Sequence, residues 1–512
     1  MSHTTALTDL GRAVSAELVR TRRTTSARLA LAGLAISALQ GLGWAFLSTR
    51  DLTSWRQLTS WQSVYATALA VPMAALLGGI TVQREHRARE AGTSWRPTRP
   101  ATVRAARTGV AALQLLLFIL AITLPTLLWG TVAQLPDPPL AQILTLVSLQ
   151  WALSLAPLTL GLVGTRRLGL LTTLLAAIGW QIAGTLNAES ATWWAQPWTW
   201  HLRPLLPLLG VHANGVPLEP GSPVWTFPWT PSLAGSLALT ALLLVTDEIH
   251  LTRRRRGPGR TNARASQPRP TVLPFVRTAP RPTLAVAATL RRTAIPWLVG
   301  ITLLALPAIA VLWRAAGVRD TVGYLILPLG SCLLATLAWQ AQHHAWTILA
   351  TRRSITDLGL RLLGVCAATV TALACAAGAV IAAAGGSQIA EFIAVTALSG
   401  TAGTACCLYL TTRHGTGTAI GATLITITLS LVLGGYFTNT PLWIAGPAAW
   451  AATAADTPRA LIACTLSALA CAVATTLWLR AIRRSITYHA VHLTTPIRGA
   501  RPPVRTESGP AP

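Results

Sequence analysis

Fifteen carboxylates, ten histidines and seven cysteines are the side chains of this 512-residue chain that could move a proton or hold a metal. Their spacing gives them little to do together. Cys332, Cys366, Cys375, Cys406, Cys407, Cys464 and Cys471 form no CxxC pair and have no histidine at ligand spacing. They are expected to be small buried hydrophobes with free thiols. His343-His344 is too small a set for a metal and reads as a polar flank. No HExxH, no GxSxG and no paired carboxylates at a plausible active site occur. A phosphate-binding loop of the GxxxxGK[ST] type needs a lysine, and the sequence contains none. The chain therefore cannot hydrolyse ATP in that way by itself. What remains is a chemistry of recognition. QREHRAREAGTSWRPTRPATVRAARTG, residues 83–109, sets seven arginines around Glu90, Gly92, Thr93, Trp95 and Pro100. Guanidinium groups pair with carboxylates in bidentate fashion, and a tryptophan can anchor in a partner's pocket.

These residues hang on elements that are almost wholly apolar. Hydrophobic residues make up 52% of the chain and charged residues 11%, against roughly 25% charged in a soluble domain. Runs of about 20 apolar residues recur, each long enough to cross a ~30 Å hydrocarbon core. The pattern predicts an all-α polytopic membrane protein with twelve spans. They lie near 29–48, 62–82, 108–132, 140–163, 168–186, 232–249, 293–314, 322–342, 360–384, 391–411, 416–436 and 459–479. The first run follows a polar, arginine-bearing stretch without a cleavable-signal pattern, so it is expected to stay as an anchor. LSGTAG, at 398–403, falls inside a span and predicts small-residue helix packing.

Arginine placement orients the spans. With the N-terminus inside, 35 of the 41 arginines fall on inner segments. The outer ones are Arg50, Arg56, Arg203, Arg314, Arg319 and Arg459. This follows the positive-inside rule. The net charge of +26 is then explained by topology and attraction to anionic lipid, and nucleic acid is not needed as a partner. No carboxylate is expected near a span centre, where ion-coupled carriers usually need one. Energy for any transport should therefore come from outside the chain. The competing readings are an ion-coupled twelve-span secondary transporter and a non-transporting membrane sensor or scaffold.

The sequence also repeats. Arg22-Arg23-Thr24 and Arg50-Asp51 flank the first span, and Arg291-Arg292-Thr293 and Arg319-Asp320 flank the seventh at the same offset. Thr165-Arg166 matches Thr412-Arg413, and Gly109-Val110 matches Gly364-Val365. Residues 1–250 and 284–490 are thus read as two six-span halves in parallel orientation. An Arg/Pro-rich cytoplasmic linker, 251–283, joins them, and 491–512 is a disordered cytoplasmic tail. The outer segment 187–231 holds Trp193, Trp194, Trp198, Trp200, Trp225 and Trp229. Tryptophan favours the headgroup level, so these form an interfacial belt or an outer entry surface for an amphipathic substrate.

On two motifs the chain resembles the membrane subunits of type-2 ABC exporters, particularly those of lantibiotic immunity and bacitracin-like peptide resistance in Gram-positive bacteria. The first is an amphipathic entry helix with Glu-Leu and basic residues, here Glu17-Leu18, Arg20, Arg22 and Arg23. The second is a Glu-x-Gly-Thr loop after the second span, here Glu90, Gly92 and Thr93, followed by Trp95, Arg96, Arg99, Pro100 and Arg104. The resemblance implies that this loop is a coupling helix seated in a separate cytoplasmic ABC-type ATPase, present in two copies, which holds the ATP and magnesium. It implies no enzymatic activity and no cofactor in this chain. It also implies export of a hydrophobic or amphipathic molecule, such as an antimicrobial peptide, across a bacterial plasma membrane. The second half lacks both motifs: its loop is QHHAWTILATRRSITDLGLRLLG and its entry helix LAVAATLRRT.

Overall fold

The structure is a computed structural model. It describes residues 3–22, 24, 28–29, 33–34, 37, 54–90, 100–256, 282–291, 293–342, 346, 354–435, 438–453 and 456–494. Among these there is no strand, only an isolated bridge between Val211 and Pro217. The long helices are α1 (His3–Thr21), α2 (Ala70–Glu90), α3 (Pro100–Val132), α4 (Leu140–Leu153), α5 (Leu155–Leu168), α6 (Leu170–Asn187) and α7 (Thr230–Arg256). They continue with α8 (Pro282–Arg291), α9 (Ile295–Thr321), α10 (Leu327–Gln342), α11 (Ile355–Ala383), α12 (Ile389–His414), α13 (Thr416–Gly435) and α14 (Thr457–Thr494). Ten stretches among the described residues are long and apolar enough to cross a membrane. The expected first span and His343-His344 lie largely or wholly outside the described residues.

The expected seventh and eighth spans appear as one 48-residue stretch, Ile295–Gln342. No open loop separates them, contrary to the sequence reading, which put Arg314 and Arg319-Asp320 in one. The helix instead breaks at a single residue, Arg314, with φ 56° and ψ −166°. A straight helix of that length would measure about 72 Å at ~1.5 Å per residue, more than twice a bilayer core. A shared cavity wall places Leu298 and Leu306 beside Val322 and Leu329. The chain therefore doubles back near Arg314. At the other joins, α7 stays helical through Arg256, over the first residues of the expected linker, and α14 runs to Thr494, into the expected tail.

The two halves share local irregularities, which is stronger evidence of duplication than the short matches. Each second span begins with a π-helical turn, Tyr65–Leu69 in the first half and Val322–Ile326 in the second. Each fifth span opens on a glycine with positive φ, Gly169 (88°) and Gly415 (95°). Each outer segment carries Trp-x-Ala-x-Pro-x-x-Trp, with Trp193, Ala195, Pro197 and Trp200 recurring as Trp443, Ala445, Pro447 and Trp450. Its backbone bonds recur too: Gln196 N to Trp193 O at 3.0 Å matches Gly446 N to Trp443 O at 3.1 Å.

The halves meet along α2 and α6 on one side and α10 and α13 on the other. A Cβ on Gly417 would lie 2.6 Å from Ile80, and one on Gly421 would lie 2.5 Å from Leu29. The remaining space on this seam, between Pro72, Leu174, Leu329, Ile420 and Leu424, is about 20 Å³. That is room for about one water, so these residues pack closely against one another. Within the second half, LSGTAG lies in α12 as a small-residue contact: Ser331 Oγ donates to Gly400 O at 3.0 Å. All seven cysteines are free; Cys332, Cys366 and Cys407 are buried, and Cys375 and Cys406 are exposed.

Candidate functional site

The charged side chains collect at the inner ends of the first half. α1 is amphipathic and lies against α3, and its Glu17 is 2% exposed. A carboxylate at that depth needs cationic partners, and three guanidiniums supply them. Arg84 of α2 donates directly to Glu17, Arg20 is 3.7 Å away, and Nε of Arg107 on α3 is 3.9 Å away. Arg107, itself buried, also donates to Glu85. Nearby, Arg104 pairs with Glu248 and Arg166 with Asp247, joining α3 and α5 to the inner end of α7. The Arg104–Glu248 pair is partly exposed, so it contributes at most about 1 kcal/mol. The Glu17–Arg84–Arg107–Glu85 cluster is the structural one.

This cluster frames the predicted coupling loop. α2 ends at Glu90 and α3 begins at Pro100, where proline suits the first helical turn. Gly92, Thr93, Trp95, Arg96 and Arg99 lie outside the described residues, as does Arg23. Of Glu90 and Pro100 the structure gives the backbone only. Thus Glu17 and Arg20 are brought together, Arg104 pairs with Glu248 instead, and Arg22 is exposed just beyond the end of α1. The sequence reading missed Arg84, Glu85, Arg107, Arg166, Asp247 and Glu248 as members of a network. One signal could have found them: carboxylates that sit among arginines at span ends.

The second half has the same scaffold without the charges. Aligning Arg22-Arg23-Thr24 with Arg291-Arg292-Thr293 puts Val286 at the place of Glu17 and Thr289 at that of Arg20. Aligning the starts of α3 and α11 puts Leu362 at the place of Arg107. Val286 and Leu362 are buried in the main apolar core. Gln342 Nε2 donates to Thr289 Oγ1 at 3.3 Å, a neutral contact where α2 and α1 form an ion pair.

A second polar system lies nearer the outer face. The π-helical turn at Tyr65–Leu69 leaves backbone groups that need partners. Gln181 of α6 supplies them: its Nε2 donates to Ala66 O at 3.1 Å and Thr67 O at 2.8 Å, and its Oε1 accepts from Val71 N at 3.0 Å. Thr185 Oγ1 also donates to Thr67 O, at 2.7 Å. His201, on the outer segment, sits 3.2 Å from Gln181 Nε2. Burial pushes its pKa down to about 4, so it is neutral at pH 7.

The six tryptophans divide. Trp193 lies under Arg203, whose guanidinium is 4.7 Å from that ring and 3.5 Å from the Phe227 ring. Burial lowers the Arg203 pKa, with Glu189 opposing; Arg203 also donates to Ala188 O at 2.6 Å. Trp200 covers Gly235, and Trp225 packs under Arg56 and donates to Glu219 O at 3.0 Å. Trp194, Trp198 and Trp229 are exposed. The outer surface therefore offers three aromatic rings, not six.

The outer segment also carries a histidine clamp. His212 Nε2 is 2.8 Å from Glu219 and Nδ1 is 3.0 Å from Glu189. These two bonds, Glu219 first, raise the His212 pKa above the usual value for histidine, and the bond to His212 lowers that of Glu219. The clamp is fully present below about pH 6.5 and is lost as pH rises through the raised value. Amide exchange at 211–217 should accelerate from pH 6 to pH 8.5, after correction for intrinsic rates. His212→Phe should remove that difference; an equal change in the variant would refute the clamp.

The chain matches no family model, no curated protein and no solved structure.

Proposed function

We propose that this protein is the membrane-spanning permease subunit of an ABC exporter, with twelve spans as two fused six-span halves and both termini cytoplasmic. It sits in a bacterial plasma membrane and moves a hydrophobic or amphipathic molecule, an antimicrobial peptide among the candidates. ATP is hydrolysed by a separate cytoplasmic ABC-type ATPase pair. One observation carries this reading. A buried charge cluster ties α1, α2 and α3 into one stiff unit, and α2 and α3 are the helices on either side of positions 91–99. A mechanical input needs such a base, because force on a loose loop is dissipated in the loop. From there, rotation of the first half would open the seam between α2, α6, α10 and α13. The buried carboxylates Glu17 and Asp247 are both arginine-paired, which leaves them poor proton relays and weighs against an ion-coupled carrier.

Gly92→Pro and Glu90→Ala each should reduce both ATPase co-purification and efflux about tenfold or more, about 1.4 kcal/mol of coupling or above. Membrane insertion and the thermal midpoint should stay at wild-type values. Undiminished ATPase association in both variants would sink the docking role.

A further inference from the structure

The second half contains a groove that the transport reading does not use. It runs between α8, α9 and α11, with a volume of about 540 Å³, walled by Thr283, Ala287, Val299, Leu303, Ala368 and Ala372. Val299, Thr369 and Leu373 also line a second space of about 270 Å³ that reaches α10. The first is within the usual size of a ligand pocket, about 300–1,000 Å³. The walls are apolar apart from threonine hydroxyls. The groove is open on its outer side: of its lining residues, Leu284 is 62% and Leu303 43% exposed, so it faces the hydrocarbon.

Two observations say what covers it. First, Thr283, Ala287 and Arg291 form one i, i+4 row on α8, so Arg291 continues the groove-facing side of that helix. Val286 and Leu290 take the adjoining, buried side, and Arg291 lies on the edge of the row farthest from them. Arg291 is exposed and has no carboxylate within ion-pair distance among the described residues. An apolar slot that ends at a guanidinium matches a molecule with a long chain and an anionic head. Second, the groove is made by small residues absent from the first half. Aligning α3 with α11, and α1 with α8, places Leu113 at Ala368, Leu117 at Ala372 and Leu18 at Ala287. Three leucine side chains are missing at three wall positions.

We propose that this groove binds one acyl chain of an anionic phospholipid, with the phosphate held by Arg291. The inner leaflet follows from the arginine-based orientation; transport itself is not assumed. The site makes the second half a lipid-anchored partner to the half that carries the charged cluster.

Native mass spectrometry of the full chain, offered phosphatidylglycerol and phosphatidylcholine in equal amounts, tests this. Wild type should retain phosphatidylglycerol preferentially. Ala368→Leu/Ala372→Leu, which installs the first half's residues, should lower retention of both lipids about tenfold, since each excluded methylene is worth ~0.8 kcal/mol. Arg291→Gln, which leaves packing untouched, should reduce phosphatidylglycerol retention to the phosphatidylcholine level. Ala287→Leu provides a single change if the double variant does not fold. Equal retention of the two lipids by wild type, or wild-type selectivity in Arg291→Gln, overturns the proposal.

Discussion

Glu17→Ala should destabilise the first half by about 3–5 kcal/mol, the cost of breaking a buried ion pair by removing one partner. The side chain is 3% exposed and Arg107 is 4% exposed, so neither can turn to bulk water while the helices stay packed. Loss of the carboxylate leaves Arg84 and Arg107 with a net excess of positive charge and only Glu85 to meet it. Relief requires α1 to lift away. Thermal unfolding followed by tryptophan fluorescence, and protease cleavage after Arg20 and Arg22, would both report that. The second half supplies its own control. Glu17→Val combined with Arg107→Leu, Arg84→Ala and Glu85→Gln installs the pattern of Val286, Leu362, Ala341 and Gln342. Replacing a buried charge cluster by packed apolar groups is often neutral or stabilising. The quadruple variant should therefore recover the wild-type midpoint while losing any function of the cluster. A single variant as stable as wild type would show that the cluster holds nothing together.

The largest packing effect should come from Gly78 and Gly161. A Cβ on Gly78 would lie 2.3 Å from the carbonyl oxygen of Leu158, and one on Gly161 would lie 2.2 Å from that of Ala75. Both obstacles are backbone, so no rotamer change relieves them. α2 and α5 approach this closely because small residues face each other, the usual device where lipid removes the hydrophobic drive for association. Alanine has the better helix propensity by about 1 kcal/mol, but overpacking at about 3 kcal/mol exceeds it. Gly161→Ala should thus be destabilising, and Gly161→Leu should prevent assembly of the half. Gly109, with nothing within 4 Å, is the contrast: Gly109→Ala should be neutral or stabilising by up to about 1 kcal/mol. Midpoints from the same detergent series measure all three. Gly161→Ala at or above wild type would refute the close-contact account.

The positions of the spans were legible because bilayer burial depends on a local property, about 20 apolar residues in a row. Duplication was legible only faintly. Short matches such as Arg22-Arg23-Thr24 suggested it, and the paired π-helical turns and the paired Trp-x-Ala-x-Pro-x-x-Trp segments are further likenesses between the two stretches. The place of the turn near Arg314 was legible from the polar run Arg314 to Asp320; its form, a break at one residue inside otherwise continuous helix rather than an open loop, was not. Composition predicts that tryptophans gather at the outer edge, but not that Trp193 and Trp225 are already occupied by Arg203 and Arg56.

By itself, the sequence determined that this chain is helical and multi-pass and that its basic side chains, histidine apart, are arginines without a single lysine. Those properties are sums over local residues and need no fold. The tertiary structure alone decided that Glu17 is buried, that Arg84 and Arg107 meet it from two other helices, and that the second half answers with Val286 and Leu362. Contacts between residues 67 or more apart in sequence follow from helix packing, which hydropathy and spacing do not encode.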